Sequence, residues 1–158
     1  MTTARSARDD RHRGRVAALQ LLYQRDIGGA AGADLDEAVR GYWVEHPAPE
    51  SRRAFATTLL QGVIGALDRI DSLIETAADN WRLSRMAVVD RTILRLAVYE
   101  LLAAVTPPPV VIDEALELAK TFSGEQSARF VNGVLDAVKR ALEKSADSFE
   151  RQDPKSEV

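Results

Sequence analysis

The sequence predicts an all-α protein, and two patterns support that prediction. Apolar residues recur every three or four positions along most of the 158-residue chain, a spacing that places them on one side of a helix. Glycines, prolines and helix-capping residues separate these stretches, and no run of alternating apolar and polar residues indicates a strand. We therefore expect a single domain of about six or seven helices, arranged as two small helical-bundle halves.

Three helices are predicted in the first half. They cover residues 11–28, 34–44 and 50–78, and they end at a glycine pair, at His-Pro and at a polar break, respectively. The third helix contains Gly62 and Gly65, which indicate a tight crossing with another helix, because glycine lowers helix stability unless close packing requires it.

The second half begins after the break at residues 80–84. The helix predicted over 86–105 is apolar nearly all round, which is typical of the most buried helix of a bundle. Three prolines end it, a further helix follows over 110–122, and Ser123 with Gln126 forms a capping pattern that opens the last helix. The buried stripe of that last helix is predicted to contain Val131, Val134, Leu135, Val138 and Leu142.

Charge is distributed unevenly along the chain. The net charge is −3, yet the first fifteen residues contain five arginines, and residues 143–158 contain five acids against three bases. We expect residues 1–10 and 144–158 to be disordered, because both are polar. The two folded halves are then residues 11–79 and 80–143.

Several classes of function find no support in the composition. The absence of cysteine excludes thiolate zinc sites and Cys nucleophiles, and it fits a reducing compartment. Neither His12 nor His46 has a ligand partner at metal spacing in the sequence, and there is no glycine-rich phosphate loop. With neither a signal peptide nor a membrane-length apolar run, we expect a cytoplasmic protein with no enzymatic activity, no cofactor and no metal.

One stretch of the last helix has the composition of a binding surface. Arg129, Phe130, Asn132 and Gly133 lie off the buried stripe, and a mid-helix glycine costs about 1 kcal/mol relative to alanine. Bare backbone beside an aromatic ring and an arginine suits single-stranded RNA, which stacks on such groups. Two alternatives remain open: a neighbouring helix needs the space at Gly133, or Phe130 belongs to the core.

Three segments of the second half and one of the first resemble a known family. They are Asp90-Arg91-x-Ile-Leu-Arg-Leu-Ala-x-Tyr-Glu-Leu, Pro109-Val-Val-Ile-x-Glu-Ala-x-Glu-Leu-Ala-Lys-x-Phe, Ser127-x-x-Phe-Val-Asn-Gly-Val-Leu-Asp, and Arg13-Gly-Arg-Val-Ala-Ala-Leu-Gln-x-Leu-Tyr. Together they are similar to the NusB family of bacterial transcription antitermination factors over about residues 11–142.

The resemblance implies a fold, partners and site residues. It implies a NusB-like all-helical domain that binds boxA RNA of ribosomal RNA leaders together with NusE, a small-subunit ribosomal protein, and that acts near RNA polymerase. It assigns RNA binding to Arg11, His12, Arg13, Arg15, Arg129, Phe130, Asn132 and Gly133. It assigns partner binding to Asp90, Glu114 and Glu117.

Two further hypotheses compete with this interpretation. The first is a helical protein-interaction module, such as a homodimer, whose RNA surface is masked or lost. The second is the accessory domain of an RNA methyltransferase, for which the 158 residues leave no room for a cofactor-binding sheet. The RNA hypothesis itself expects the arginine-rich segment to fold back across the last helix, so that both form one cationic strip.

Overall fold

The computed structural model describes residues 2–28, 33–79 and 81–152. Within these ranges the chain forms seven α-helices, one 3₁₀ turn and no strand, which confirms the predicted all-α class. The helices are α1 (Thr2–Gly28), α2 (Ala33–Glu45), α3 (Glu50–Gly65), α4 (Leu67–Ala77), α5 (Val88–Ala103), α6 (Pro108–Phe122) and α7 (Glu125–Gln152), and the 3₁₀ turn is Leu83–Arg85.

Both ends of the chain are more helical than the sequence suggested. Helix α1 begins at Thr2, so the expectation of a disordered segment over residues 1–10 is not met. Asp10 tethers this first part of the helix, because its carboxylate accepts hydrogen bonds from Ser51 (3.0 Å) and from Arg52 Nε (2.8 Å) at the start of α3. Helix α7 likewise continues to Gln152, and the remainder of the predicted acidic tail, 153–158, lies outside the described residues.

The predicted long third helix is two helices. Ala66 leaves helical geometry, with φ −116° and ψ 20°, and separates α3 from α4. The tight crossing expected near Gly62 is present: a Cβ at Gly62 would collide with the ring of Tyr99 on α5. No such neighbour approaches Gly65, which lies at the end of α3.

Helix α5 is the centre of the bundle, as its apolar sequence predicted. It packs against α1, α3, α4, α6 and α7, and residues such as Leu94 and Val98 are fully buried. One continuous apolar core joins residues from both predicted halves, from Ala17 on α1 to Val138 on α7. The two predicted halves therefore share one core.

Ion pairs between helices fix α1 and α4 on α5. Asp26 of α1 accepts a hydrogen bond from Arg91 Nε at 2.8 Å and lies 3.6 Å from Arg95 Nη1. Arg95 also forms a bidentate pair with Asp71 of α4, at 2.8 and 3.0 Å. These acids neutralise two arginines that would otherwise repel each other one turn apart. None of the described helices is long and apolar enough to cross a membrane.

Candidate functional site

The arginines at the start of α1 do not share one environment. A helix turns by about 100° per residue, so neighbouring residues point in different directions. Arg13 is exposed, and its Nε lies 3.1 Å from the equally exposed carboxylate of Asp9. Arg11 is also exposed, and its guanidinium lies over the ring of Phe55, 5.8 Å from the centroid. Both cations remain accessible, because exposed ion pairs and cation–π contacts are weak.

Arg15 is buried, which corrects its assignment to RNA. Its side chain is 4% exposed and forms two hydrogen bonds with Glu100 of α5, from Nε at 2.9 Å and from Nη2 at 2.8 Å. The guanidinium also lies 5.3 Å from the Phe55 centroid. Because its donors are used inside the protein, Arg15 holds α1 against α5 and is not available to a phosphate.

His12 and Glu114 form a contact between α1 and α6. His12 Nδ1 lies 2.9 Å from Glu114 Oε2, and Arg15 Nη1 lies 4.0 Å from the same oxygen. Glu114 is only 14% exposed, and its carboxylate contacts this chain's own α1, so little of this predicted partner-binding residue faces solvent. Glu117, one turn further along α6, is exposed and lies near the same pair.

Gly14, between Arg13 and Arg15, lies at a close contact of α1 with α3. A Cβ at this position would lie 2.7 Å from Cδ1 of Phe55. Glycine thus permits α1 to approach α3 closely, and α3 is one of the helices against which α1 packs most extensively.

The predicted binding face of α7 is exposed. Arg129, Asn132 and Gly133 all face solvent, and no atom lies within 4 Å of the place a Cβ would take at Gly133. Close helix packing therefore does not account for this glycine. The helix begins at Glu125 after Gly124, which has a φ of 119°, while the Ser123 hydroxyl contacts that of Ser127 at 2.7 Å. The sequence predicted that Ser123 caps α7. In the structure the Ser123 hydroxyl contacts the Ser127 hydroxyl instead.

Phe130 lies in the wall of a groove between α7 and the start of α5. It is half-buried against the core, and Trp81 packs edge-on against it with ring centroids 5.7 Å apart. The groove has a volume of about 450 Å³ and also contains Asp90 and Gln126. Asp90 is 9% exposed, and its Oδ1 is buried without a hydrogen-bond partner among the described residues. The structure therefore joins Phe130, assigned to RNA, and Asp90, assigned to the partner, in one groove.

Sequence reasoning missed Trp81 and a second groove. Trp81 is 51% exposed. The signal that could have identified it is the presence of a large apolar ring in a polar break. The second groove, of about 420 Å³, contains Tyr23 and Phe122, which are both partly exposed, together with Tyr42. Burial raises the pKa of Tyr42 above its ordinary value of 10.0, and its hydroxyl donates to Gln20 Oε1 at 2.7 Å.

The arginine-rich segment of α1 and the last helix, α7, both contact α6. Helix α1 packs mainly on α3 and α5, whereas α7 packs on α6, α5 and α4. The sequence analysis expected this segment to fold back across α7. The helix packing shows that it does not. Helix α6 packs on α7 and receives His12 from α1, so it contacts both predicted parts of the surface.

Fold and site together define an all-helical protein whose exposed cations and aromatic rings border surface grooves. The family model described as the NusB family matches residues 12–140. The chain belongs to the NusB family. Relatives described as transcription antitermination protein NusB include one from Solibacter usitatus, 46% identical over 84% of this chain and 90% of its own length, and one from Leptospira biflexa, 45% identical over 80% and 89%.

Solved structures agree with this assignment. NusB of T. maritima is 36% identical, has a TM-score of 0.75 and matches over 82% of this chain and 90% of its own. A crystal structure of the antitermination factors NusB and NusE in complex with dsRNA includes a chain that is 29% identical, with a TM-score of 0.74. That match covers 84% of this chain and 98% of the other.

Proposed function

We propose that this protein is a non-catalytic antitermination factor of the bacterial cytoplasm that binds boxA RNA of ribosomal RNA leaders together with NusE. The observation that carries the proposal is the match to NusB proteins over nearly the whole folded chain, including a structural relative crystallised with NusE and dsRNA. We also propose that it acts near RNA polymerase, and the same family membership supports this role.

The accessible cations support RNA binding at two places. Arg11 and Arg13 are exposed on α1, and Arg129 is exposed beside Asn132 and Gly133 on α7. Arginines at such positions neutralise phosphates, and bare backbone at a helical glycine permits close approach of a ribose or base. The sequence preference would come from base contacts, for which Asn132 offers both a donor and an acceptor.

Charge reversal tests this surface. Arg13→Glu and Arg129→Glu should each weaken binding of boxA RNA and lower the slope of log affinity against log salt by about 0.7 per lost phosphate contact. Arg69→Glu is the matched control, because Arg69 is also an exposed arginine and lies on α4. Fluorescence anisotropy with labelled RNA at several salt concentrations measures both quantities. Equal losses in all three variants would contradict a localised site.

The groove that contains Asp90 supports the NusE contact. A buried carboxylate oxygen without a donor is unfavourable, so a partner's ammonium, guanidinium or N–H group placed there would stabilise it. The exposed Trp81 ring and the half-buried Phe130 ring supply apolar area around the charge, as at many protein interfaces.

Removing that charge tests the NusE contact. Asp90→Asn should weaken NusE binding by about 1.5–3 kcal/mol, because a hydrogen bond to a charged acceptor is lost. Asp113→Asn on exposed α6 is the control. RNA binding by the isolated protein should stay unchanged, and titration calorimetry with NusE gives the affinities. A NusE affinity that is the same in both variants and the wild type would exclude this groove.

A further inference from the structure

We infer that His12, Glu114 and Glu117 form a binding site for one divalent transition-metal ion of the zinc type at the junction of α1 and α6. Their ligand atoms all lie within 4.8 Å of one another. We call these three residues the α1–α6 cluster. The inference does not depend on RNA or NusE binding.

The ligand types suit such an ion. Imidazole nitrogen and carboxylate oxygen are both zinc ligands in proteins, whereas magnesium and calcium prefer oxygen ligands alone. In tetrahedral coordination, two ligands about 2.1 Å from a zinc ion lie roughly 3.4 Å apart. The Glu117 ligand atom lies within 4.8 Å of the other two, and its exposed side chain can change rotamer to reach that spacing.

The ion would take the position between Nδ1 of His12 and Oε2 of Glu114, which now lie 2.9 Å apart. That distance must open slightly, and the imidazole proton must reside on Nε2, the tautomer that leaves Nδ1 free to bind metal. The remaining coordination positions face solvent, because Glu117 is exposed and the His12 side chain is 29% exposed.

Local charge favours a cation despite the nearby arginine. The guanidinium of Arg15 lies beside two carboxylates, those of Glu100 and Glu114, and Glu117 adds a third carboxylate to the cluster. Arg15 is already neutralised by its bidentate pair with Glu100. Glu117 makes no salt bridge with any residue in the described part of the chain, so the cluster retains negative charge that a divalent ion would neutralise.

Titration of the intact, chelator-treated protein with zinc chloride tests the site, without RNA or NusE. Calorimetry should show one ion per chain, and the melting temperature should rise with zinc concentration because only the folded state brings the ligands together. His12→Ala should lower the affinity at least about tenfold, since even loss of an outer-shell group costs that much. Glu117→Gln should weaken binding as well.

Two matched variants control for adventitious binding. His46→Ala removes the other histidine of the chain, and Asp113→Asn removes a different exposed acid of α6. Both should bind zinc as the wild type does. The inference is overturned if His12→Ala binds as tightly as the wild type, or if no saturable binding appears up to about 1 mM zinc.

Discussion

The buried pair of Arg15 and Glu100 allows a sharp test of whether a basic residue of α1 serves the fold or the RNA. In Arg15→Met the apolar stem of the side chain is largely kept, but Glu100 loses both of its hydrogen-bond donors. The Glu100 side chain is 6% exposed, so water cannot replace them fully. Breaking a buried pair by removing one partner typically costs about 3–5 kcal/mol.

For a chain of this length, that loss corresponds to a fall in melting temperature of roughly 6–20 °C, at about 2–4 °C per kcal/mol. Urea unfolding followed by circular dichroism measures the free energy directly, with the midpoint lowered and the slope unchanged. Arg13→Met is the matched control: Arg13 is 59% exposed, and its pair with Asp9 should contribute no more than about 1 kcal/mol.

The double variant Arg15→Met, Glu100→Met tests whether the lost stability comes from leaving Glu100 unpaired or from losing the Arg15 side chain itself. Replacing both members of a buried ion pair with apolar residues is often neutral, so the double variant should recover most of the lost stability. The reasoning is refuted if Arg15→Met loses less than about 1 kcal/mol while its RNA affinity falls as far as that of Arg13→Met. Arg15 would then leave Glu100 to bind phosphate.

Further substitutions test the glycines and the aromatic groove. Gly62→Ala should destabilise the fold by about 1–3 kcal/mol, since the new methyl group meets Tyr99, whereas Gly65→Ala should not; thermal melts compare the two. Gly133→Ala should raise the free energy of unfolding by up to about 1 kcal/mol because its surroundings are open, and yet weaken RNA binding. A G133A variant with stronger RNA binding would contradict close backbone approach. Phe130→Ala should lower both stability and NusE affinity, since Phe130 packs on the core and borders the groove; unchanged NusE binding in calorimetry would remove it from the interface.

Helix positions were largely predictable from the sequence. The spacing of apolar residues identified the buried face of α7: Val131, Val134, Leu135 and Val138 are buried, and Leu142 is partly buried. The apolar character of α5 predicted its central place. Glycine and proline set most boundaries, because their effect on the backbone is local. The break between α3 and α4 at Ala66 follows Gly65, a glycine that the sequence analysis interpreted as a sign of a helix crossing.

The site was only partly predictable, because periodicity gives the face of a helix but not the helix that covers it. The spacing of Arg91 and Arg95 shows only that two like charges lie one turn apart, whereas the fold places Asp26 and Asp71 against them. For the same reason His12 lacked a ligand partner along the chain, although Glu114, 102 positions away, lies 2.9 Å from it.

The all-α class, most of the helices, the core stripes and the family of this chain could be predicted without coordinates. Which cations remain exposed, which acids they meet and which aromatic rings share a groove became known from the packing of the helices. The physical reason is range: helix formation and termination depend on residues within one or two turns, whereas burial and ion pairing depend on helices brought together across the whole chain.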